Sequence, residues 1–305
     1  MHMDPEIVSK NIEAFIRQMV DEYRRDGVIL GMSGGVDSSL VASLLVRALG
    51  PDKVHTLLLP ERDSSPDSKT DAMVEIERLG VGYQEIDLTP ILSAIGIYKQ
   101  LPLQYLGARR IKETVVRQQH QQQIEKLGEM PFLAGLLGTR DIEKGQRIID
   151  AGNAYARVKH RMRMVVLYYY AELENLLVIG TTNKSEAMTG FVVKWGDNVA
   201  DIEPILPLYK TQVFQLATFL GVSQEIIDKA PSPDLMPGIV DELALGIDYA
   251  TLDKILWGIN QGWIDSRIIE AYNVDIPQVE HVRELVARSE HTRIMPPYPE
   301  ITLSN

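Results

Sequence analysis

Short apolar segments alternate with helical patterns along much of this chain. The predicted strands are VILGM at 28–32, VHTLLLP at 54–60, GYQEIDL at 82–88 and LLVIGTT at 176–182. The predicted helices that accompany them cover 5–25, 38–50, 65–80 and 156–174. Strands that alternate with helices form parallel sheets that are covered on both faces. We therefore expect an α/β fold with a doubly wound parallel sheet flanked by helices, and ligands beyond the carboxyl ends of the strands.

The alternation is interrupted between residues 97 and 150. This segment has no clear strand pattern, but RRIKETVVRQQHQQQIEKLG at 109–128 is glutamine-rich and helix-forming. Nine Lys/Arg against six Asp/Glu give the segment a local charge of +3. We predict a single domain over residues 1–305 with a helical insertion at 97–150. The insertion is interpreted either as a solvated helical hairpin or as an element that docks a partner or caps the substrate.

Composition excludes several classes of function. The 305 residues include no cysteine, which rules out disulfides, thiolate metal sites and a cysteine nucleophile. The chain has no apolar run of about 18 residues, and its first residues, MHMDPEIVSK, lack the apolar core of a signal peptide. We therefore expect a cytoplasmic protein without a membrane span. The formal net charge of −11 argues against nucleic acid as a partner.

The stretch GMSGGVDSS, residues 31–39, connects an apolar strand to an apolar helix. Unpaired backbone N–H groups at such a helix N-terminus form an anion site, and phosphate is the expected guest. The stretch matches neither the lysine-bearing phosphate loop nor the spacing of the dinucleotide fingerprint. Instead it offers small residues for close backbone approach, hydroxyl groups, and in Asp37 a carboxylate able to hold magnesium against the phosphates. The small and hydroxyl residues are Gly34, Gly35, Ser33, Ser38 and Ser39.

S-G-G-V-D-S-S resembles the pyrophosphate-binding loop of the N-type ATP pyrophosphatases, enzymes that cleave ATP between the α and β phosphates and adenylate an acceptor. Five further segments, taken in order and spacing, resemble the ammonia-dependent NAD synthetase family, and together with the loop they cover most of the chain. These segments are KHRMRMVVLYY, VIGTTNKSE, GFVVKWGDNVADIEPILPLYK, APSPDL and SEHTR. The resemblance implies the adenine nucleotide alpha-hydrolase-like form of the α/β fold.

The resemblance also implies roles for individual residues. The implied ATP-binding residues are Gly31, Met32, Ser33, Gly34, Gly35, Val36, Asp37, Ser38, Thr181, Lys210 and Ser232. The implied ligands of a Mg²⁺ cofactor are Asp37 and Glu186, and the implied catalytic residues are Asp37 and Lys210. The implied contacts to the dinucleotide substrate are Arg161, Lys194, Asp201 and His291. The segment GFVVKWGDNVAD at 190–201 is a candidate lid.

The reaction implied by the family is the ATP-dependent amidation of deamido-NAD by ammonia, which gives NAD, AMP and pyrophosphate. ATP converts the nicotinate carboxylate into a mixed anhydride with AMP, and ammonia then attacks. This scheme needs no covalent enzyme intermediate, in agreement with a chain that lacks cysteine. The resemblance further implies a homodimer. Because the chain has no cysteine, we do not expect it to use glutamine alone, although a separate glutaminase could deliver ammonia.

Two other functions remain open from the sequence. The first is an ATP pyrophosphatase that acts on a different acceptor carboxylate. It stays open because the chain departs from the family pattern near Arg157, Val240 and Thr292. The second is a non-catalytic adenine-nucleotide-binding module, which the two carboxylates and Lys210 argue against.

Several candidate residues also have structural interpretations. Asp37 could cap a helix and Glu186 could favour a first helical turn, and isolated charges are usually solvated. Four basic residues recur at odd spacing on one predicted helix, so they occupy different faces and not all can reach a ligand. These are Arg157, Lys159, Arg161 and Arg163.

Overall fold

The computed structural model describes residues 3–99, 109–136, 145–232 and 238–299. Four strands are present in these ranges: β1 (Gly27–Gly31), β2 (Val54–Leu58), β3 (Gly82–Glu85) and β4 (Leu176–Val178). Most other elements are helices. The helices of the first half are α1 (Pro5–Glu22), α2 (Val36–Leu49), α3 (Pro66–Leu79), α4 (Thr89–Ile95), α5 (Arg109–Leu127), α6 (Pro131–Ala134) and α7 (Gly145–Glu174). Those of the second half are α8 (Lys184–Thr189), α9 (Lys210–Phe219), α10 (Gln224–Asp228), α11 (Asp241–Leu245), α12 (Tyr249–Asn260), α13 (Asp265–Tyr272), α14 (Ile276–Arg288) and α15 (Glu290–Arg293).

The sheet is parallel, with the strand order β3-β2-β1-β4. From β1 the chain proceeds outward to β2 and β3, and then returns to place β4 on the other side of β1. The carboxyl end of β1 is therefore a topological switch point, where a crevice opens between diverging connections. One isolated parallel bridge, between Ile179 and Ile202, continues the pairing beyond β4.

Both faces of the central strand are buried. Val28 and Leu30 of β1 pack with α1, α2 and α9, in a cluster that includes Ile16, Leu40 and Leu216. The alternate residue of β1, Ile29, faces α7 and lies in a second cluster. Since successive strand residues point to opposite faces, helices on both sides of the sheet explain why the strand is apolar throughout. The prediction of a doubly wound parallel sheet flanked by helices is confirmed.

A third apolar cluster holds the C-terminal helices. It joins α12, α13 and α14 to Tyr209 at the start of α9, and includes Leu252, Ile268 and Val282. The described residues after β4 are thus predominantly helical.

The predicted boundaries needed small corrections. The second, third and fourth predicted strands end two, three and four residues too late, because the residues that follow the strands turn into loops at the carboxyl edge. Ser65 occupies the N-cap position of α3 but makes no capping hydrogen bond with its side chain. Asp4, in contrast, caps α1, because its side chain accepts hydrogen bonds from the N–H groups of Glu6 and Ile7 at 3.0 and 3.2 Å.

The described part of segment 97–150 is helical, as predicted. It contains α5 and α6, and residue 150 lies within α7, which runs on without a break. Residues 100–108 and 137–144 of the segment lie outside the described residues. The treatment of 97–150 as an insertion within one domain stays a prediction. Over the described ranges, the helices are too short or too polar to cross a membrane.

Candidate functional site

A cleft of about 350 Å³ opens at the carboxyl edge of the sheet. Its floor is formed by the turn after β1, and its walls come from the ends of β2 and β4 and from α7. Every residue that sequence reasoning assigned to ATP or magnesium lines this cleft. These are Gly31, Met32, Ser33, Gly34, Gly35, Val36, Asp37, Ser38, Thr181, Glu186, Lys210 and Ser232. Residues as far apart in the chain as Gly31 and Ser232 are therefore brought to one place.

Hydrogen bonds of its own serine hydroxyl groups stabilise the turn after β1. The Ser33 and Ser38 hydroxyl oxygens lie 3.0 Å apart, and the Gly35 N–H donates to Ser33 Oγ at 3.2 Å. Gly34 has a φ of +75°, and a Cβ there would lie 2.2 Å from the carbonyl oxygen of Ser68, so only glycine fits. Ser39, expected among the hydroxyl donors, is fully buried and donates back to the Gly35 carbonyl at 2.9 Å.

Asp37, Glu186 and Lys210 form the charged centre of the cleft. The Lys210 ammonium donates to Asp37 Oδ2 at 2.6 Å and to Glu186 Oε1 at 3.1 Å. Asn183 holds both carboxylates: its side chain donates to Asp37 Oδ1 at 2.9 Å, and its backbone N–H donates to Glu186 Oε2 at 3.2 Å. Lys210 is 98% buried, and burial by itself lowers the pKa of its ammonium group. The negative charges of Asp37 and Glu186 outweigh this effect and raise the pKa. The lysine is therefore a permanent cation.

Asp241, at the start of α11, is a third carboxylate in the cleft that the sequence did not single out as a site residue. Its Oδ2 accepts the Tyr249 hydroxyl at 2.9 Å, whereas its Oδ1 is buried without a hydrogen-bond partner in the structure. Burial raises the pKa of Asp241, and Lys210 opposes that rise. Burial and the charges of Asp37 and Asp241 also raise the pKa of Glu186, again against Lys210. The cleft thus carries more acidic groups than its one buried lysine balances.

This excess of carboxylate suits a magnesium ion. The Asp37 and Glu186 carboxylates converge on the Lys210 ammonium, and Asp241 adds an oxygen that has no partner among the described residues. Within the described ranges, no group of three or more His, Cys, Asp or Glu side chains is arranged to hold a metal by itself. The two carboxylates therefore fit magnesium that takes its remaining ligands from phosphate and water.

Three of the four residues expected at the dinucleotide are linked to one another beside the cleft. The Arg161 guanidinium donates to the Lys194 carbonyl at 3.2 and 3.1 Å, and the Lys194 ammonium donates to the His291 carbonyl at 2.6 Å. Asp201 stands apart, because its carboxylate accepts the Val178 N–H at 2.8 Å and the Tyr168 hydroxyl at 3.3 Å. In this structure Asp201 ties segment 190–201 to β4.

The four basic residues of α7 diverge as their spacing predicts. Arg157 donates to the Gly135 carbonyl at 3.0 Å, and Arg161 reaches segment 190–201. Lys159 is fully buried and pairs with Glu61 at 2.9 Å. Arg163 lines the cleft and donates to the Leu59 carbonyl at 3.4 Å. Lys159 is thus part of the scaffold, and only some of these cations face the cleft.

The buried Lys159 belongs to a polar network under the loop that follows β2. Glu61 also accepts the Tyr98 hydroxyl at 2.8 Å, and the neighbouring Asp63 accepts the Tyr155 hydroxyl. The next residue along, Ser64, lines the cleft. The network therefore fixes one wall of the cleft against α7.

Other cleft residues were missed by sequence reasoning. They come from the loop after β2, from α7, from segment 190–201 and from the chain near 230. They include Ser64, Ser65, Ser68, Lys69, His160, Asp197 and Lys229. The run PERDSSPDSK directly after a predicted buried strand was the available signal, since the carboxyl ends of parallel strands meet at one edge. Residues 233–235 of the APSPDL motif lie outside the described residues.

The fold and the cleft define the class of α/β proteins that have a glycine- and serine-rich turn at the switch point of a parallel sheet. The family model described as NAD synthase matches residues 8–126 and 135–296. The NH(3)-dependent NAD(+) synthetase of Thermotoga maritima is 42% identical over 286 residues, which are 94% of this chain and 96% of that protein. The chain therefore belongs to the NAD synthase family, and the resemblance inferred from its motifs is confirmed.

Solved structures agree with this assignment. A structure of NMN synthetase from Francisella tularensis matches with a TM-score of 0.72 and 27% identity, over 98% of this chain and all of that one. An NH3-dependent NAD synthetase from Campylobacter jejuni, in complex with nitrate, matches with a TM-score of 0.69 and 25% identity at the same coverage. The α/β fold is shared along the full length of both.

Proposed function

We propose that this protein is a ligase that amidates deamido-NAD with ammonia at the expense of ATP, giving NAD, AMP and pyrophosphate. The observation that carries the proposal is the convergence of the turn at 31–38 with Asp37, Glu186 and Lys210 in one cleft. This arrangement provides backbone donors, a permanent cation and two carboxylates where a triphosphate would lie. Family membership supports the identity of the acceptor.

The residues of the turn hold the phosphates that leave as pyrophosphate. The first N–H groups of α2 point toward the anion, and the positive end of its helix dipole favours negative charge there. Lys210 is held near the same position by Asp37 and Glu186. Its charge is in place before the substrate arrives, so it stabilises charge that develops on the leaving group without reorganisation. Thr181 and Ser232 also line the cleft and would contact the rest of ATP.

Asp37 and Glu186 are the residues that would hold magnesium. The ion, when bound, would neutralise charge on the β and γ phosphates. The chain's own residues orient the two carboxylates, because Asn183 donates a hydrogen bond to each of them.

The acceptor approaches from the side on which Arg161, Lys194 and His291 are linked. Two positive side chains there suit the pyrophosphate of a dinucleotide. The carboxylate of the acceptor attacks the α phosphate, and the walls of the cleft exclude water from the adenylate that results. Segment 190–201 carries Lys194 and is joined to α7 and α15 by hydrogen bonds, and we infer that it closes over this intermediate.

Pyrophosphate release tests the proposal. Purified protein is incubated with ATP, magnesium and ammonium chloride, with and without deamido-NAD, and pyrophosphate and NAD are measured. We expect deamido-NAD to stimulate release, NAD to appear in equal amount, and Asp37→Ala to abolish both. Nicotinate mononucleotide is tested in parallel as a competing acceptor, since one solved structure with the same fold carries the name NMN synthetase. Stimulation by the mononucleotide alone would identify a different acceptor, and ATP binding without any turnover would favour the non-catalytic module.

We further infer a homodimer built on α7. Val165, Tyr169 and Leu173 recur every four residues along this helix, and each is more than 60% exposed. Such an apolar stripe on a helix is typical of an interface, and a second copy presents the same stripe. Sedimentation should therefore find a dimer, and Tyr169→Asp should yield a folded monomer. A monomeric wild-type protein would refute the inference.

A cytoplasmic location and a separate glutaminase that supplies ammonia stay predictions. Segment 97–150 is the proposed docking element for such a partner, because it carries local positive charge on an acidic chain. Binding of a partner that persists unchanged when 109–128 is deleted would contradict this role.

A further inference from the structure

His160 is a buried titratable group that the proposed reaction leaves without a role. It lies on α7, and its ring forms part of the wall of the cleft. Its Nδ1 is 3.2 Å from Asp197 Oδ2. Its Nε2 is buried and has no hydrogen-bond partner in the structure. A buried polar atom without a partner is costly unless a ligand satisfies it.

The partner of Nδ1 determines what Nε2 can do. Asp197 Oδ1 accepts the Val193 N–H at 2.6 Å, so the carboxylate is held in place with Oδ2 toward the ring. Because a carboxylate accepts hydrogen bonds, the ring proton resides on Nδ1, and Nε2 carries a lone pair. The side chain therefore carries an unpartnered hydrogen-bond acceptor in the wall of the cleft.

The charges around the ring keep it neutral. Burial lowers the pKa of His160, Arg163 and Lys159 lower it further, and Asp197 opposes them. The Glu203 carboxyl accepts the Thr182 N–H and faces Asp197, and burial raises the pKa of Glu203 to about 8. At neutral pH the Nε2 atom is thus free to accept a proton.

His160 lies between the two halves of the site. On one side Asp197 is joined to the nucleotide wall, because the Thr182 hydroxyl donates to the Asp197 carbonyl at 3.2 Å. On the other side the adjacent Arg161 reaches Lys194 in the segment where the dinucleotide is expected. Under the proposed function the adenylated carboxylate lies between these halves, on the side of the cleft that His160 lines.

We propose that His160 Nε2 accepts the proton that the attacking nitrogen loses, an assignment that rests on the proposed function. The nitrogen of ammonia forms a bond to the acyl carbon. The bond from that carbon to the phosphate oxygen breaks, and its electron pair leaves with AMP. One proton passes from the nitrogen to Nε2, and Asp197 stabilises the imidazolium until the proton is released to water. Such a base accelerates the step by on the order of 10²–10⁴.

His160→Asn is the informative variant. The asparagine amide keeps a donor near the position of Nδ1 and so preserves the bond to Asp197, but it has no atom in place of Nε2. His55→Asn is the matched control, because His55 lies on β2 outside the cleft and pairs with Glu174 at 3.2 Å. Each protein is assayed with ammonia and with hydroxylamine, whose much less basic nitrogen gives up its proton to water unaided. Exchange of pyrophosphate into ATP, measured with deamido-NAD but without a nucleophile, reports adenylation alone.

With ammonia, we expect His160→Asn to lower kcat by about 10²-fold or more. With hydroxylamine the loss is at least tenfold smaller, and pyrophosphate exchange stays within about twofold of the wild type. His55→Asn behaves as the wild type in all three assays. An equal loss with both nucleophiles, an equal loss of exchange, or no loss at all would overturn the assignment. If the wild-type protein itself shows no exchange that depends on deamido-NAD, the proposed function is wrong and this assignment falls with it.

Discussion

Substitution of Gly34 by alanine tests whether the phosphate-binding turn is as tightly constrained as its geometry implies. The residue has a φ of +75°, and the new Cβ would lie 2.2 Å from the Ser68 carbonyl oxygen and 3.0 Å from the Ala72 nitrogen. Both of these atoms belong to the backbone of α3, so the clash cannot be relieved by rotation of a side chain. The left-handed conformation alone costs about 1–2 kcal/mol, and forced overpacking adds about 1–3 kcal/mol.

Two alanine variants separate these contributions. Gly80 has a φ of +66° and nothing within 4 Å of a new Cβ, so Gly80→Ala reports the conformational cost alone. Gly35 has a negative φ of −93°, and its Cβ would meet only Ser33 Oγ at 3.4 Å. We expect urea unfolding to give a loss of about 1–2 kcal/mol for Gly80→Ala and a smaller one for Gly35→Ala. Gly34→Ala should lose about 1–3 kcal/mol more than Gly80→Ala.

The Gly34→Ala variant should also bind nucleotide poorly. Relief of the contact requires the turn to move away from α3, and this movement displaces the N–H groups that face the phosphates. Calorimetric titration with a non-hydrolysable ATP analogue should show a loss of at least tenfold in affinity for Gly34→Ala and little change for Gly80→Ala. Equal unfolding free energies for these two variants would refute the argument that the turn is packed against α3.

Three further predictions concern the buried charges. Lys159→Met leaves Glu61 buried without its cation and should lower the unfolding free energy by about 3–5 kcal/mol, and adding Glu61→Gln should recover part of that loss in the same urea titration. Glu203 has a pKa raised from 4.5 to about 8 in the folded protein, so the folded state keeps a proton that the unfolded chain loses, and stability falls as pH rises between these values. Glu203→Gln should make this fall with pH less steep, because the raised pKa of Glu186 contributes to it as well, and an unchanged slope in the variant would contradict the assignment. Lys210→Met should reduce pyrophosphate release by on the order of 10²–10³, with unchanged release as the contrary result.

The cleft residues assigned to ATP were predictable from the sequence, because they follow from a local motif and from the topology of a parallel sheet. A buried strand, two glycines and a carboxylate before an apolar helix specify the turn, and the parallel sheet brings the ends of β1 and β4 to the same edge. Asp37 and Thr181 therefore reach one cleft although 144 positions separate them. The loop after β2 reaches the cleft for the same reason, since β2 runs parallel to β1 and β4.

The remainder depended on tertiary contacts that no local pattern encodes. Asp241, at the start of α11, lines the cleft and is held by the hydroxyl of Tyr249 at the start of α12, and nothing near residue 241 signals a nucleotide. His160 stands among basic residues whose spacing shows only that they diverge. Asp201 carries a charge that the structure uses to hold β4, which a sequence pattern does not distinguish from a ligand contact.

The contacts that assemble the cleft join residues that are far apart in sequence, and this affects the order in which the protein folds. The Lys210–Asp37 pair closes a loop of 173 residues, and the Lys194–His291 contact closes one of 97. Contacts of such sequence separation form late, since the entropy of loop closure has to be overcome first. A nascent or partly folded chain therefore has no assembled pocket for ATP. Under the proposed function, ATP that binds this cleft would therefore stabilise only the completed fold, by an amount that grows with the ATP concentration.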